Sequence, residues 1–117
     1  MEPADREFFD PLEPSDDGWE PVPEYPEGAT QRVLYETENR LSRLLRVEPG
    51  VSTAESVTHD YHEEVWIVDG GLIDRRLEEA FTAGMYAYRT PGMEHGPYDY
   101  PIGCLMFEHR YDDSSDG

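Results

Sequence analysis

The sequence predicts an all-β domain, a sandwich or barrel of short strands. Short runs of β-branched and aromatic residues recur at 65–68 (VWIV), 85–89 and 104–111 (CLMFEHRY), the composition of half-buried pleated strands. The first two stop at turn signals, Asp69-Gly70-Gly71 and Thr90-Pro91-Gly92, and regularly spaced strands with such stops favour a sandwich or barrel. The chain has 117 residues, enough for one hydrophobic core and not for two.

The elements follow in chain order. Residues 1–30 hold six of the ten prolines and ten acidic residues opposed only by Arg6. So little apolar surface cannot offset the entropy of ordering, and the segment reads as an extended arm. Within it, 1–18 is the flexible acidic part. Trp19 opens the folded domain, which runs over 19–111, and 112–117 is an acidic tail. Phe8, Phe9, Trp19 and Tyr25 mark the arm as one that lies across a neighbouring surface. Residues 41–47 (LSRLLRV) suit a helix by leucine spacing or a strand by the Glu48-Pro49-Gly50 stop that follows. No internal repeat is present.

Charge narrows the function classes. Asp and Glu number 27 against 9 basic residues, giving −18. All nine are arginine. In dilute buffer such a charge opposes compaction, and in molar salt the Debye length falls to about 3 Å and screens it. The composition therefore reads as adaptation to high salt, with an ordinary acidic protein from a high-GC genome as the alternative. Nucleic acid and anionic membranes are excluded as partners, because phosphate binding needs clustered Lys and Arg. No apolar run approaches the roughly 20 residues that span a bilayer, and the first residues carry neither a basic nor an apolar leader segment. One cysteine, Cys104, fits a reducing cytoplasm, where it serves as a small buried hydrophobe.

Side chains able to bind metal concentrate in THDYHEEVWIVDGG, with His59, Asp60, His62, Glu63 and Glu64, and again at His95 in TPGMEHGPY. Metal donors stand about 2.0–2.2 Å from the ion, whereas His59 and Glu63 on one strand would be about 13 Å apart. The chain must therefore bend near Asp60-Tyr61-His62. Alternation after the bend puts Glu63, Val65 and Ile67 on one face and Glu64, Trp66 and Val68 on the other. An inward Glu63 is costly to bury alone, and a metal ion removes the cost. The same spacing also suits solvated loop residues in a chain this rich in carboxylates.

These residues resemble the cupin superfamily. Gly50 opens its first motif, Glu63 is the motif's Glu, and Gly70 closes it. Gly84, Pro91, Gly92 and His95 follow the second motif. The likeness extends over 20–111 to small proteins with a HDYxEEVxxxxG core. It implies a double-stranded β-helix, a small jelly-roll barrel, with one divalent transition metal (Fe, Zn or Mn) in its mouth on His59, Glu63 and His95. The motif's first His falls at Val57, which cannot ligate. Two His and one carboxylate remain, the set typical of non-haem iron with open positions. His62 is the candidate substitute.

Other residues take lesser roles. Tyr86, Tyr88 and Arg89 are pocket candidates. An inward Arg89 would recognise a carboxylate or phosphate, and an outward one would form a surface ion pair. Trp66, Leu105, Met106 and Phe107 read as packing. His109 has no assigned role.

The resemblance implies a metalloenzyme of dioxygenase, isomerase or hydrolase type acting on a small molecule. The alternative is a non-catalytic binding or sensing module, since related cupin domains occur in regulators such as zinc-binding anti-sigma factors. A metal-free barrel is the third reading, made credible by Val57. The expected partners are a small-molecule ligand or substrate and a second copy of the chain, as a homodimer.

Overall fold

The computed structural model describes residues 7–12 and 18–112. Most of the flexible arm and acidic tail expected from the sequence lies outside these residues. Among them there is no helix, and the strands are β1 Trp19–Pro21, β2 Ala29–Thr37, β3 Arg40–Val47, β4 Val51–Ser52, β5 His62–Asp74, β6 Glu79–Thr82, β7 Tyr86–Arg89, β8 Tyr98–Tyr100 and β9 Cys104–Tyr111. All pairings are antiparallel, in the order β1-β2-β3-β9-β5-β8-β4, with β6 and β7 also on β5. No helix is long and apolar enough to cross a membrane.

Strand β5 belongs to both halves of the barrel. Residues 62–70 pair with β9, and residues 71–74 pair with β6. The Gly70-Gly71 pair was expected to end a strand but sits inside this one. A bulge falls between Ile67 and Asp69, and Gly70 has φ +76° with Gly103 O only 2.2 Å from where a Cβ would stand. Gly70 thus lets β5 cross Gly103 closely as it changes sheet, and Gly71 lets it pass the Phe81 carbonyl of β6, which is a use of glycine inside a strand rather than at its end. Residues 41–47, open between helix and strand in the sequence, lie in β3. There Leu45 faces Met106 and Arg43 faces Glu108.

The inner face carries two kinds of row. Leu45, Met106 and Ile67 pair across three strands and join Val47, Val65, Leu72, Tyr100 and Cys104 in the core. Leu45 is 1 % exposed, and burying a leucine contributes about 1.5–3 kcal/mol. Val22 and Ala29, from the second half of the proline-rich stretch, are buried with them. Tyr25 packs against the same cluster. One row further, the inner face turns polar, with Arg43, Glu63 and Glu108 all buried.

The outer face carries its own row. Tyr86, Trp66, Phe107, Leu44, Arg32 and Trp19 are register partners across six strands. Trp66, expected as packing, is 48 % exposed on this face. Arg32 Nη1 donates to the Pro11 carbonyl at 2.8 Å and ties the described part of the arm to the sheet.

Candidate metal centre

Register places the charges around Glu63. Alternation turns Glu63 inward, and its cross-strand partners are Arg110 on β9 and Arg89 on β7. Each arginine takes one carboxylate oxygen: Arg89 Nη1 donates to Oε1 at 2.9 Å, and Arg110 Nε donates to Oε2 at 2.8 Å. The two guanidinium groups hold the Glu63 carboxyl at about 2, against the desolvation that would raise it. Arg43 closes the network by donating to Glu108 at 2.8 Å and to Gln31 at 2.6 Å.

The histidines arrive from two bridged segments. Val57 and His95 exchange both backbone hydrogen bonds, and Gly92 N donates to the His59 carbonyl at 2.7 Å. This crossing brings His59 Nε2 to 3.1 Å from His95 Nε2 and to 3.4 Å from Glu63 Oε1. All three donor atoms lie within 4.8 Å of one another. Two donors bound to one ion at about 2.0–2.1 Å stand about 2.8–3.4 Å apart at octahedral or tetrahedral angles.

Tautomers sharpen the fit. His59 Nδ1 lies 3.3 Å from the Tyr61 carbonyl, which only accepts, so that contact calls for a proton on Nδ1, the tautomer whose Nε2 is a bare lone pair. His95 Nδ1 lies 3.4 Å from the Tyr98 hydroxyl, and in the tautomer whose proton sits on Nδ1 His95 also presents a bare Nε2. Burial and the nearby Arg89 push His95 down to about 4, so the ring is neutral, as ligation requires. In these tautomers both Nε2 atoms and the Glu63 carboxylate present three acceptors to one another, an arrangement that a cation satisfies. Arg89 and Arg110 leave lone pairs on Glu63, because a carboxylate accepts at about four sites. The residues present fit a metal.

The surroundings set access. A cavity of about 220 Å³ lies beside His95, Arg89 and Tyr98, with Val65, Leu72 and Phe81 in its wall. A recess of about 430 Å³ opens on the far side of His95 and includes Val57, so the position of the missing motif His lines an opening next to the centre.

The remaining expectations divide. Arg89 faces inward and spans Glu63 and Tyr98, to whose hydroxyl Nη2 donates at 2.6 Å. Tyr86 and Tyr88 stand on the opposite parity, 59 % and 43 % exposed. Tyr86 borders the cavity but directs its hydroxyl at Glu64 on the outside. Tyr88 meets His62 Nδ1 at 2.8 Å, which places His62 on the outer face, away from His59. His109 bonds Ser42 on that face. Cys104 is buried, its thiol pushed up to about 12 by desolvation.

Sequence reasoning missed Arg110, Tyr98 and Tyr61. The Tyr61 ring stacks on His59 at 3.8 Å between centroids, with Arg110 5.1 Å from its centre. Arg110 was readable only from the parity it shares with Met106 in the last strand.

Comparison with known proteins gives this geometry a family. Residues 11–111 match the ChrR cupin-like domain. The chain belongs to that family. Solved cupins share its fold at low identity. The acetylacetone dioxygenase of Acinetobacter johnsonii is 20 % identical, with a TM-score of 0.70 over 95 % of this cupin and 80 % of that chain. An RmlC-like cupin of Shewanella frigidimarina is 16 % identical, with a TM-score of 0.64 over 76 % and 80 %. The structure of Rhodobacter sphaeroides SigE in complex with the anti-sigma ChrR is matched at 21 % identity and a TM-score of 0.62, over 80 % of this cupin and 48 % of that chain. No curated protein matches the chain.

Proposed function

We propose that this cupin is a metal-dependent enzyme acting on a small molecule, with one divalent transition metal held by His59, Glu63 and His95. The observation that carries the reading is the convergence of three acceptor atoms within 4.8 Å beside a cavity of about 220 Å³. When bound, the metal supplies Lewis acidity or an oxygen-binding position. The chain's own residues do the rest. Arg89 and Arg110 fix both oxygens of Glu63 and keep it anionic. The Tyr61 carbonyl fixes the His59 tautomer. Val65, Leu72 and Phe81 exclude water from the cavity and select an apolar substrate body, while Arg89 and Tyr98 offer polar groups at its inner end. The acetylacetone dioxygenase named above supports dioxygenase chemistry ahead of the isomerase and hydrolase alternatives.

The second reading is a non-catalytic sensing module, and the family match to the ChrR cupin-like domain favours it. Catalytic sites keep an exchangeable position and structural ones are closed. Protein purified without chelator is expected to carry close to one transition metal per chain by elemental analysis. His59→Ala, Glu63→Gln and His95→Ala each remove it, and His62→Ala and His109→Ala do not. Water-proton relaxation of the manganese-loaded protein then separates the readings, because only an open site relaxes bulk water through a bound exchanging molecule. Wild-type protein that stays metal-free after incubation with iron, zinc and manganese would defeat the enzyme reading and put a metal-free barrel in its place.

A further inference from the structure

Asp74 is a buried acid that the metal centre does not use. It closes β5, and its register partner on β8 is Tyr98. Directly opposed residues project to the same face, and both side chains stand in the wall of the cavity beside His95. The carboxylate also turns the chain: Oδ1 accepts from the backbone N–H of Arg76 at 2.9 Å and of Leu77 at 3.0 Å, the local bonding by which Asp favours turns.

Asp74 is 3 % exposed. Glu63 and Glu108, buried acids like it, each have arginine on them. Asp74 has none among the described residues. Arg75 turns to Asp99, and Arg76 Nη2 donates to the Glu94 carbonyl at 3.0 Å. Oδ2 is thus left without a hydrogen-bond partner among the described residues. It is not sealed in either, for the side-chain polar atom among them that is both sealed and partnerless is Arg43 Nη2. Oδ2 is open, and what Asp74 borders is the cavity.

A carboxylate oxygen in so apolar a setting calls for a donor, and the cavity selects its kind. The fully charged side chains in the lining are Asp74, Arg76 and Arg89. A cationic ligand at Asp74 would meet two guanidinium groups, and an anionic one would bring a second carboxylate against a buried first. A neutral hydroxyl does neither and makes a short, charge-assisted bond to the carboxylate. The walls beyond, Val65, Ile67, Leu72 and Phe81, are apolar. The volume of about 220 Å³ exceeds the roughly 150 Å³ in which an engineered apolar cavity takes up benzene.

We propose, resting on the reading of this cavity as the substrate site, that Asp74 is a specificity residue: Oδ2 accepts from the hydroxyl of a small neutral alcohol or phenol whose apolar body, one ring in size, lies along Val65, Leu72 and Phe81. The two backbone bonds to Oδ1 fix the carboxylate, so Oδ2 is aimed before the ligand arrives.

Titration calorimetry of the full chain as purified, its metal measured by elemental analysis, tests this with one scaffold and four head groups: benzyl alcohol, benzyl methyl ether, benzylammonium and benzoate. Benzyl alcohol is expected to bind at least about tenfold more tightly than each of the others, the scale of one hydrogen bond to a charged group. Asp74→Asn is the discriminating variant. Its carbonyl oxygen must go on accepting from Arg76 and Leu77, so its NH2 group faces the cavity as a donor. The variant is expected to lose about tenfold for benzyl alcohol, to gain for benzyl methyl ether and to keep its metal content. A purely structural Asp74 would weaken both ligands together. Should the variant fail to fold, the wild-type ranking decides. A wild type that binds none of the four, or that prefers benzylammonium or benzoate, overturns the assignment, while metal in the same sample leaves the metal centre standing. A metal-free protein in which Asp74→Asn still inverts the alcohol–ether preference upholds the role of Asp74 and sinks the enzyme reading instead.

Discussion

Glu63 and Glu108 show at single-residue scale what the interior demands of its charges. Glu108 is 3 % exposed, accepts a hydrogen bond from Arg43 Nε at 2.8 Å, and has the charged Nη2 2.7 Å away without a hydrogen bond. Removing one partner of such a pair strands the other charge in low dielectric and costs about 3–5 kcal/mol, whereas replacing both with apolar groups is far cheaper. Glu108→Gln is therefore expected to lower the urea midpoint strongly and the Arg43→Met/Glu108→Leu double variant much less. Equal losses in the two would show that Glu108 acts through shape alone. The residue scale is also where the sequence was most and least readable. His59, Glu63 and His95 stood out because two motifs fix their spacing, and the bend at Asp60-Tyr61 followed from donor reach. Arg110, Tyr98 and Tyr61 were illegible because their roles depend on which strands become neighbours. Arg89 and Tyr86 both border the cavity while Tyr88 does not: alternate residues of one strand face opposite ways, and only Arg89 has the inward parity, with Tyr86 at the rim.

At the scale of the element, strand β9 was legible to the residue and β5 was not. Cys104–Tyr111 has no glycine, and its buried positions alternate. In β5 the Gly70-Gly71 pair imitates a turn, since local sequence does not distinguish a chain reversal from a bulge with a close backbone approach. The structure separates the two costs of replacing such a glycine. Gly84 has φ +92° with nothing within 4 Å of a Cβ, whereas Gly70 has φ +76° and Gly103 O at 2.2 Å. Gly84→Ala is expected to cost about 1 kcal/mol, the left-handed strain alone. Gly70→Ala is expected to cost about 3 kcal/mol or more, since the two backbones must also separate. Matching melting temperatures for the two variants would mean that the β5–Gly103 crossing is slack.

For the whole molecule the decisive quantity is where the charge lies. Arg43 pairs with Glu108, and Arg89 and Arg110 pair with Glu63, so the paired charges around the barrel mouth largely offset one another and most of the −18 sits on the surface. The melting temperature, at fixed protein concentration, is expected to be lowest below about 0.1 M salt and to rise towards molar KCl. A flat or falling curve would end the reading of high-salt adaptation. The same molecule has no seam. Because thirteen consecutive residues of β5 are shared between the two sheets, neither sheet can be peeled away while the other keeps its central strand. Each half is the other's template, and no cut through the chain that divides β5 leaves a fragment with a complete sheet of its own. The barrel is a single cooperative unit, indivisible at the one strand that carries Glu63 at its start and Asp74 at its end.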